Sequence, residues 1–311
     1  MAYSPLSTSP LILYPARSLQ PNNWQHATAW AGSDWAAEVT GASTAARDTT
    51  FGYSNTNSGK LTMVAGASSG AISRVTTFTN IKLYEPDGYY FYTWIYCTSA
   101  DADSIVRLQV NAYSDAGITS IYSGSTDYGL GYSYGAGTVT VGAWNLIRHG
   151  PFTDSLETIA RLDLRVIVTS TAGTPAAVVN FDDSYFGHAV DFQDLGPLTD
   201  GASLAHPYSA PKTVPTTSAR IPNGNHQSVR YNLGWSVGKM TSSIIDTDAK
   251  AIIDTFQDYC TDATAFTLWH SRTDETRDYY AEAIIPGGVV KDGFKQAAIY
   301  WTWEQSFEVP L

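Results

Sequence analysis

Two stretches of this chain alternate apolar and polar side chains with a period of two. In one, Val106, Leu108, Val110 and Ala112 are separated by Arg107, Gln109 and Asn111. In the other, Leu162, Leu164, Val166 and Val168 are separated by Asp163, Arg165 and Ile167. That repeat belongs to a pleated strand with one face buried, because successive side chains point to opposite sides of a sheet. The run Tyr89–Tyr96 (YYFYTWIY) is aromatic on both sides, which suits a central strand. Residues 177–181 read as a further short strand. Turn-forming residues separate these runs, and no segment between about 22 and 193 has a helical period. Many short strands without helices predict a sandwich or barrel.

Composition narrows the class. The 311 residues suit about two domains. Hydrophobic residues are 43% of the chain, enough for a sizeable core. Charged residues are only 15%, against roughly 25% in a typical globular protein. Aromatic residues reach 13%, with 20 Tyr and 9 Trp, so the chain resembles neither a disordered segment nor a coiled coil. The net charge of −11 and the absence of a basic run exclude nucleic acid as an expected partner, since phosphate binding relies on Lys and Arg. No apolar run approaches the roughly 18 residues of a spanning helix, so membrane insertion is not expected. The start is polar and its first basic residue is Arg17, unlike a usual signal peptide. Cys97 and Cys260 are too few for a disulfide framework or a cysteine zinc site and read as buried free thiols.

Proline marks the organisation. Pro197, Pro207, Pro211, Pro215 and Pro222 crowd a stretch otherwise rich in Gly, Ser, Thr and Ala, which predicts a semi-rigid linker over 195–219. Pro5, Pro10, Pro15 and Pro21 predict an extended arm over 1–21. Between them, 22–194 is one β domain. The last part, 220–311, holds the one helical pattern: Ala249, Ile252, Ile253, Phe256 and Tyr259 or Cys260, preceded by Asp246, Thr247 and Asp248 as N-cap candidates. Strands over 229–235, 265–270, 279–285 and 297–309 surround it.

Catalytic patterns are thin. Gly66-Ala67-Ser68-Ser69-Gly70 and Gly131-Tyr132-Ser133-Tyr134-Gly135 fit the serine-hydrolase G-x-S-x-G spelling, but neither leads into a helix, as a nucleophile elbow must. The histidines show no paired spacing and read as surface or loop residues. The stretch 113–137 is different in kind. It sets Tyr113, Tyr122, Tyr128, Tyr132 and Tyr134 among Gly and Ser, the composition of adaptable contact loops. Trp30 and Trp35, with Trp24 nearby, suit either core packing or a platform on which a sugar ring stacks. Asp182 and Asp183 end a strand and read either as a turn or as oxygen ligands for a structural calcium.

Two resemblances follow. Residues 22–194 resemble jelly-roll carbohydrate-binding modules in three places: Glu85-Pro86-Asp87-Gly88-Tyr89-Tyr90-Phe91-Tyr92-Thr93-Trp94, Gly142-Ala143-Trp144-Asn145-Leu146-Ile147, and Val178-Val179-Asn180-Phe181-Asp182-Asp183. The resemblance implies a jelly-roll sandwich and a calcium ligand at Asp182. Pro21-Asn22-Asn23-Trp24 stands where the family has an acidic opening. Residues 220–311 resemble the tail-tip proteins of long-tailed phages, the lambda-type minor tail and distal tail proteins. The resemblance runs through Arg220-Ile221-Pro222-Asn223-Gly224-Asn225-His226-Gln227, the strand to Trp235, the helix with Phe256, Ala265-Phe266-Thr267-Leu268-Trp269 and Trp301-Thr302-Trp303-Glu304-Gln305-Ser306-Phe307-Glu308. It implies a non-enzymatic β domain packed as a ring in the tail.

The expected fold is therefore mainly β, an N-terminal jelly-roll sandwich followed by a small β-sandwich or barrel with one helix. The expected role is structural: a phage virion protein of the tail tip or baseplate, assembled in the host cytoplasm as a homo-oligomer with other tail proteins. Its jelly roll would project and bind host-surface polysaccharide through Trp30, Trp35, Tyr113, Tyr122, Tyr128, Tyr132 and Tyr134. No cofactor beyond the calcium is expected, and no catalysis. The alternatives are a virion decoration protein that binds no sugar and, further off, a polysaccharide hydrolase.

Overall fold

The computed structural model describes residues 5, 11–14, 36–39, 44–53, 57–63, 69–82, 88–100, 103–114, 119–152, 158–169, 177–191, 193–194, 216–220, 226–230, 235–245, 247–260, 266–269, 279–283, 291–295 and 300–310. In chain order the elements begin β1 (Leu11–Tyr14), β2 (Ala36–Val39), β3 (Thr44–Asp48), β4 (Ser58–Thr62), β5 (Ser69–Lys82), β6 (Tyr89–Ser99) and β7 (Ile105–Tyr113). They continue with β8 (Ser120–Leu130), β9 (Thr138–Val139), β10 (Trp144–His149), β11 (Thr158–Thr169), β12 (Val178–Asp191), β13 (Thr216–Arg220) and β14 (His226–Arg230). The last are β15 (Trp235–Ile245), α1 (Thr247–Cys260), β16 (Phe266–Trp269), β17 (Tyr279–Ala283), β18 (Lys291–Lys295) and β19 (Tyr300–Pro310). The fold is mainly β with a single short helix among the described residues, as the alternation predicts.

The chain divides into two compact units, Met1–Thr8 with Arg17–Ala189 and His270–Asp278, and Ser9–Ala16 with Val190–Trp269 and Tyr279–Leu311. The first unit is a sandwich. One sheet runs β10-β6-β12-β4-β3 and the other β2-β5-β11-β7-β8-β9. β6 is central, paired with β10 on one side and β12 on the other. Between the sheets lie Leu61, Phe91, Ile95, Val106, Leu108, Val110, Leu162, Leu164, Val166, Val179 and Phe181, all buried. Burying each such side chain favours the fold by roughly 1.5–3 kcal/mol.

In the second unit β15 and β18 flank β19, β13 pairs with β14, and β1 and β17 flank β16. The helix buries Ile253, Phe256 and Cys260 along one stripe, at the predicted three- and four-residue spacing. Tyr14 of β1 packs on Phe256 and Tyr259 with ring centroids 5.2 and 5.0 Å apart, and Phe256 meets Phe266 edge-on at 5.1 Å. Among the described residues no helix is long and apolar enough to cross a membrane. Cys97 and Cys260 are free and buried, and burial pushes each thiol up to about 12.

Several local expectations differ from what is observed. The stretch 113–137 is not one loop: Ser120–Leu130 is a full strand paired with β7, because its side chains alternate between the core and the outside. Residues 1–21 include β1, whose four side chains are buried. The strand expected over 229–235 is divided between β14 and β15. Of the linker 195–219, residues 195–215 lie outside the described residues and 216–219 belong to β13.

His149 and His188 are buried, not surface residues. His149, at the end of β10, crosses to the other sheet: its Nε2 lies 3.0 Å from Tyr122 Oη and its Nδ1 2.8 Å from Thr126 Oγ1. Phe152 closes the pocket edge-on, 5.2 Å from the imidazole centroid. Burial disfavours the imidazolium and lowers this pKa from 6.5 to about 4. The folded state therefore binds its proton later than the unfolded chain. Stability contributed by neutral His149 is complete above pH 6.5 and falls as pH drops toward about 4, by roughly 3 kcal/mol. Urea melts across that window are expected to show the loss in the wild type and a flatter profile in His149→Gln. Equal pH profiles for the two proteins would contradict the assignment.

Candidate functional site

The polar half of each alternating strand forms one surface. Burying Val106, Leu108, Val110 and Ala112 turns Arg107, Gln109, Asn111 and Tyr113 of β7 to the outer side of the six-stranded sheet. Burying Leu162, Leu164, Val166 and Val168 does the same for Arg161, Asp163, Arg165 and Ile167 of β11. Register then sets them in rows. Arg107 stands opposite Asp127 of β8, Gln109 between Arg165 and Ser125, Asn111 between Asp163 and Ser123, and Tyr113 opposite Arg161. Rows are about 6.8 Å apart along a strand and strands about 4.8 Å apart, so the four rows span roughly 20 Å.

Side chains within the rows, and between neighbouring rows, hold one another. Arg107 donates Nε and Nη2 to the two carboxylate oxygens of Asp127 at 2.6 and 2.8 Å. Arg161 does the same to Asp163 at 2.7 Å for both bonds. These hydrogen bonds to Asp127 and Asp163 push both guanidinium pKa values up. Arg165 Nη1 donates to Gln109 Oε1 at 3.0 Å, and Ser123 Oγ donates to Asn111 Oδ1 at 2.8 Å. Arg161 also lies over the Tyr113 ring, 5.1 Å from its centroid. The result is a flat lattice of planar, mutually fixed donors and acceptors. Such groups bind without first paying to be ordered.

Tyr134 stands at the Arg107 end of the lattice. After β8 the chain turns back through residues 131–137, with Ala136 N–H donating to the Asp127 carbonyl at 2.9 Å and Gly129 N–H to the Gly137 carbonyl at 3.1 Å. The turn lies so close to β8 that a Cβ at Gly135 would run into the Asp127 carbonyl oxygen. Gly135 also has φ +58°, a region that glycine enters without cost. Tyr134 is thereby placed near enough to Arg107 to interact with it electrostatically, and 46% of its surface is exposed. Tyr132 lies beside it, centroids 6.1 Å apart.

The five tyrosines singled out in the sequence therefore part company. Tyr113, Tyr132 and Tyr134 belong to the lattice and its end. Tyr128 is a core residue, 1% exposed, whose hydroxyl donates to the Arg148 carbonyl at 2.6 Å, so it offers no ring to a ligand. Tyr122 faces inward as well, packed edge-on to Phe152 at 4.6 Å with its hydroxyl on His149, and burial pushes its phenol up. Trp30 and Trp35 lie outside the described residues. Ser133 of the second G-x-S-x-G match is in the turn ahead of β9, and no helix follows it. Arg107, Gln109, Asn111, Asp127, Arg161, Asp163 and Arg165 carry the lattice and were not picked out as site residues. The signal for them was present as the polar phase of the alternation.

Asp182 has another task. It is buried, its Oδ2 accepts the Tyr53 N–H at 2.8 Å and its Oδ1 accepts the Asp183 N–H at 2.8 Å. Asp183 follows with φ +44°, at the bulge where β12 slips against β6 between Asp182 and Tyr185. Anchoring Tyr53 lets its ring lie flat on Trp94, centroids 4.0 Å apart, while Phe51 stacks on Trp144 at 5.5 Å and meets Tyr96 edge-on at 4.7 Å. Among the described residues no group of three or more His, Cys, Asp or Glu side chains is placed to hold a metal ion. Calcium ordinarily takes six to eight oxygens. The two oxygens of Asp182 each accept a backbone N–H, which gives this carboxylate a structural task in fixing the loop at Tyr53.

No known protein-family profile matches this sequence, and no curated protein matches it significantly. Solved structures that the chain matches in part include a carbohydrate-binding module of the β-sandwich superfamily, described as promiscuous in specificity. It is 12% identical, over 55% of this chain and 62% of that one, with a TM-score of 0.40. A xylan-binding module from Paenibacillus barcinonensis is 15% identical over 50% of this chain and 86% of that one, TM-score 0.33. The enzymatically active domain of a tailspike protein from bacteriophage CBA120 is 15% identical over 50% of this chain, which spans 19% of that one, TM-score 0.33.

Replacing Asp182 by Ala leaves two buried N–H groups without their charged acceptor, at a cost of about 3 kcal/mol. Calorimetry without added calcium is expected to show that loss. A chelator-dependent fall in the wild-type melting temperature that Asp182→Ala abolishes would assign calcium to this position.

Proposed function

We propose that this protein is a structural component of a phage virion, at the tail tip or baseplate, whose sandwich unit binds host-surface glycan. The observation that carries the binding half of the reading is the fixed polar lattice on β11, β7 and β8 with exposed Tyr134 at its end. Saccharide hydroxyls each donate and accept, and the lattice offers donors and acceptors side by side. Aromatic rings at its ends, Tyr113 and Tyr134, give the apolar C–H faces of a sugar something to stack on. Asp127 and Asp163 are each clamped by an arginine. That serves binding better than glycoside cleavage, which uses two carboxyl groups on either side of the scissile bond. The virion half rests on the residues of 220–311 that resemble tail-tip proteins. In that arrangement the second unit meets other tail proteins, and copies of the chain multiply a weak single-site affinity.

Two measurements test the reading. On a glycan array the full-length protein is expected to bind, and Tyr134→Ala and Tyr113→Ala are each expected to weaken the best hit about fivefold or more. A folded protein with no hit would favour the decoration role instead. Mass spectrometry of purified particles is expected to find the chain; its absence from virions would end the tail assignment.

A further inference from the structure

The charges on the lattice decide what kind of glycan it takes. We infer that the ligand is an uncharged polysaccharide with neighbouring hydroxyls, an inference that rests on the glycan-binding reading above.

Arginine grips carboxylate and phosphate by aligning two N–H groups with two oxygens. On this face that capacity is already in use. Arg107 has its Nε and Nη2 on both oxygens of Asp127, and Arg161 has its Nε and Nη2 on both oxygens of Asp163. An incoming uronate would have to displace an internal carboxylate that is already aligned. It would also leave that carboxylate next to the new one, and like charges at that range repel. Arg165 spends Nη1 on the neutral Gln109 amide.

The charges nearly cancel. Arg107 faces Asp127 across strands and Arg161 holds Asp163 two residues along β11, which leaves Arg165 as one positive charge in excess. With a single excess charge, a lattice within a chain of net charge −11 has little to draw in a polyanion, and the surrounding field opposes one. What remains outward is a set of donors and acceptors: the edges of the clamped guanidiniums, Asp127, Asn111 and Gln109, Asp163 itself being buried. A hydroxyl can donate to one and accept from the other. A pair of adjacent hydroxyls fits such a row, whereas a carboxylate can only accept.

The test compares polymers on the full-length protein by affinity electrophoresis and calorimetry: laminarin as a neutral glucan, polygalacturonate as a uronate polymer and a phosphate-bearing teichoic acid. The expected result is binding to a neutral polymer, with less than about a twofold change between low and high salt, because no counterion-rich contact is formed. Tighter binding to polygalacturonate or teichoic acid, falling about tenfold with salt, would overturn the inference and leave glycan binding intact. Binding to none of the polymers, by a protein with an intact melting curve, would overturn both.

Asp127→Asn isolates the clamp. It keeps the shape and a hydrogen-bond acceptor while releasing a charge, and it is expected to gain uronate binding about tenfold as Arg107 becomes available. Asp163→Asn provides the same test at Arg161 should the first variant melt early. If both fold and neither changes the preference, the clamps do not set the selectivity and the inference fails.

Discussion

The pleat of β7 and β11 carries the core and the outer lattice together. Their inward residues are small-to-medium aliphatics packed against β6 and β12 from the opposite sheet, and water is excluded from them. Every inward side chain obliges its neighbours to face out. A slip of one residue in either strand would turn Arg107 or Arg165 into the core and Leu108 or Leu164 out of it, so the hydrophobic core enforces the register. The lattice inherits that precision. Its rows are straight because the core behind them allows no other alignment.

The same economy appears at the outer face of the other sheet. There β6 presents Tyr92, Trp94 and Tyr96 away from the sandwich core, and the loop after β3 folds over them with Tyr53 and Phe51. Aromatic stacking supplies the area, while Asp182 supplies the fixed point by taking the Tyr53 N–H. A buried carboxylate is costly unless its oxygens are satisfied. Here two backbone N–H groups do that, one of them from the very loop being anchored. The bulge at Asp183 is the local distortion that lets Asp182 reach both.

These two faces differ in chemistry for a reason that bears on function. The stacked face is largely covered by its own loop. On the lattice face Arg107 and Arg161 are paired with carboxylates and Arg165 with the Gln109 amide, which lowers the cost of holding them close together. Pairing charge with charge on one surface gives a nearly neutral, polar and rigid patch.

The fold class was legible in the alternation of Val106–Ala112 and Leu162–Val168, in the double-sided aromatic run of β6 and in the helical spacing through Ile253, Phe256 and Cys260. Each is a local pattern with a single periodic reading. The lattice was half legible, since its arginines and aspartates occupy the polar phase of those same strands. Nothing in a linear pattern says that Asp127 will stand opposite Arg107, or Tyr113 opposite Arg161. The tyrosines show the limit most directly. Tyr128 and Tyr134 lie in one Gly- and Ser-rich stretch with the same composition around them, yet one is core and the other exposed. Asp182 shows it too, because its role depends on a loop 129 residues earlier in the chain. The sequence by itself determined which elements form and which of their faces are apolar, because those follow from period and propensity. Pairing partners, loop closure and the fate of each tyrosine and carboxylate were decided by tertiary structure alone, because they depend on registers between strands far apart in the chain.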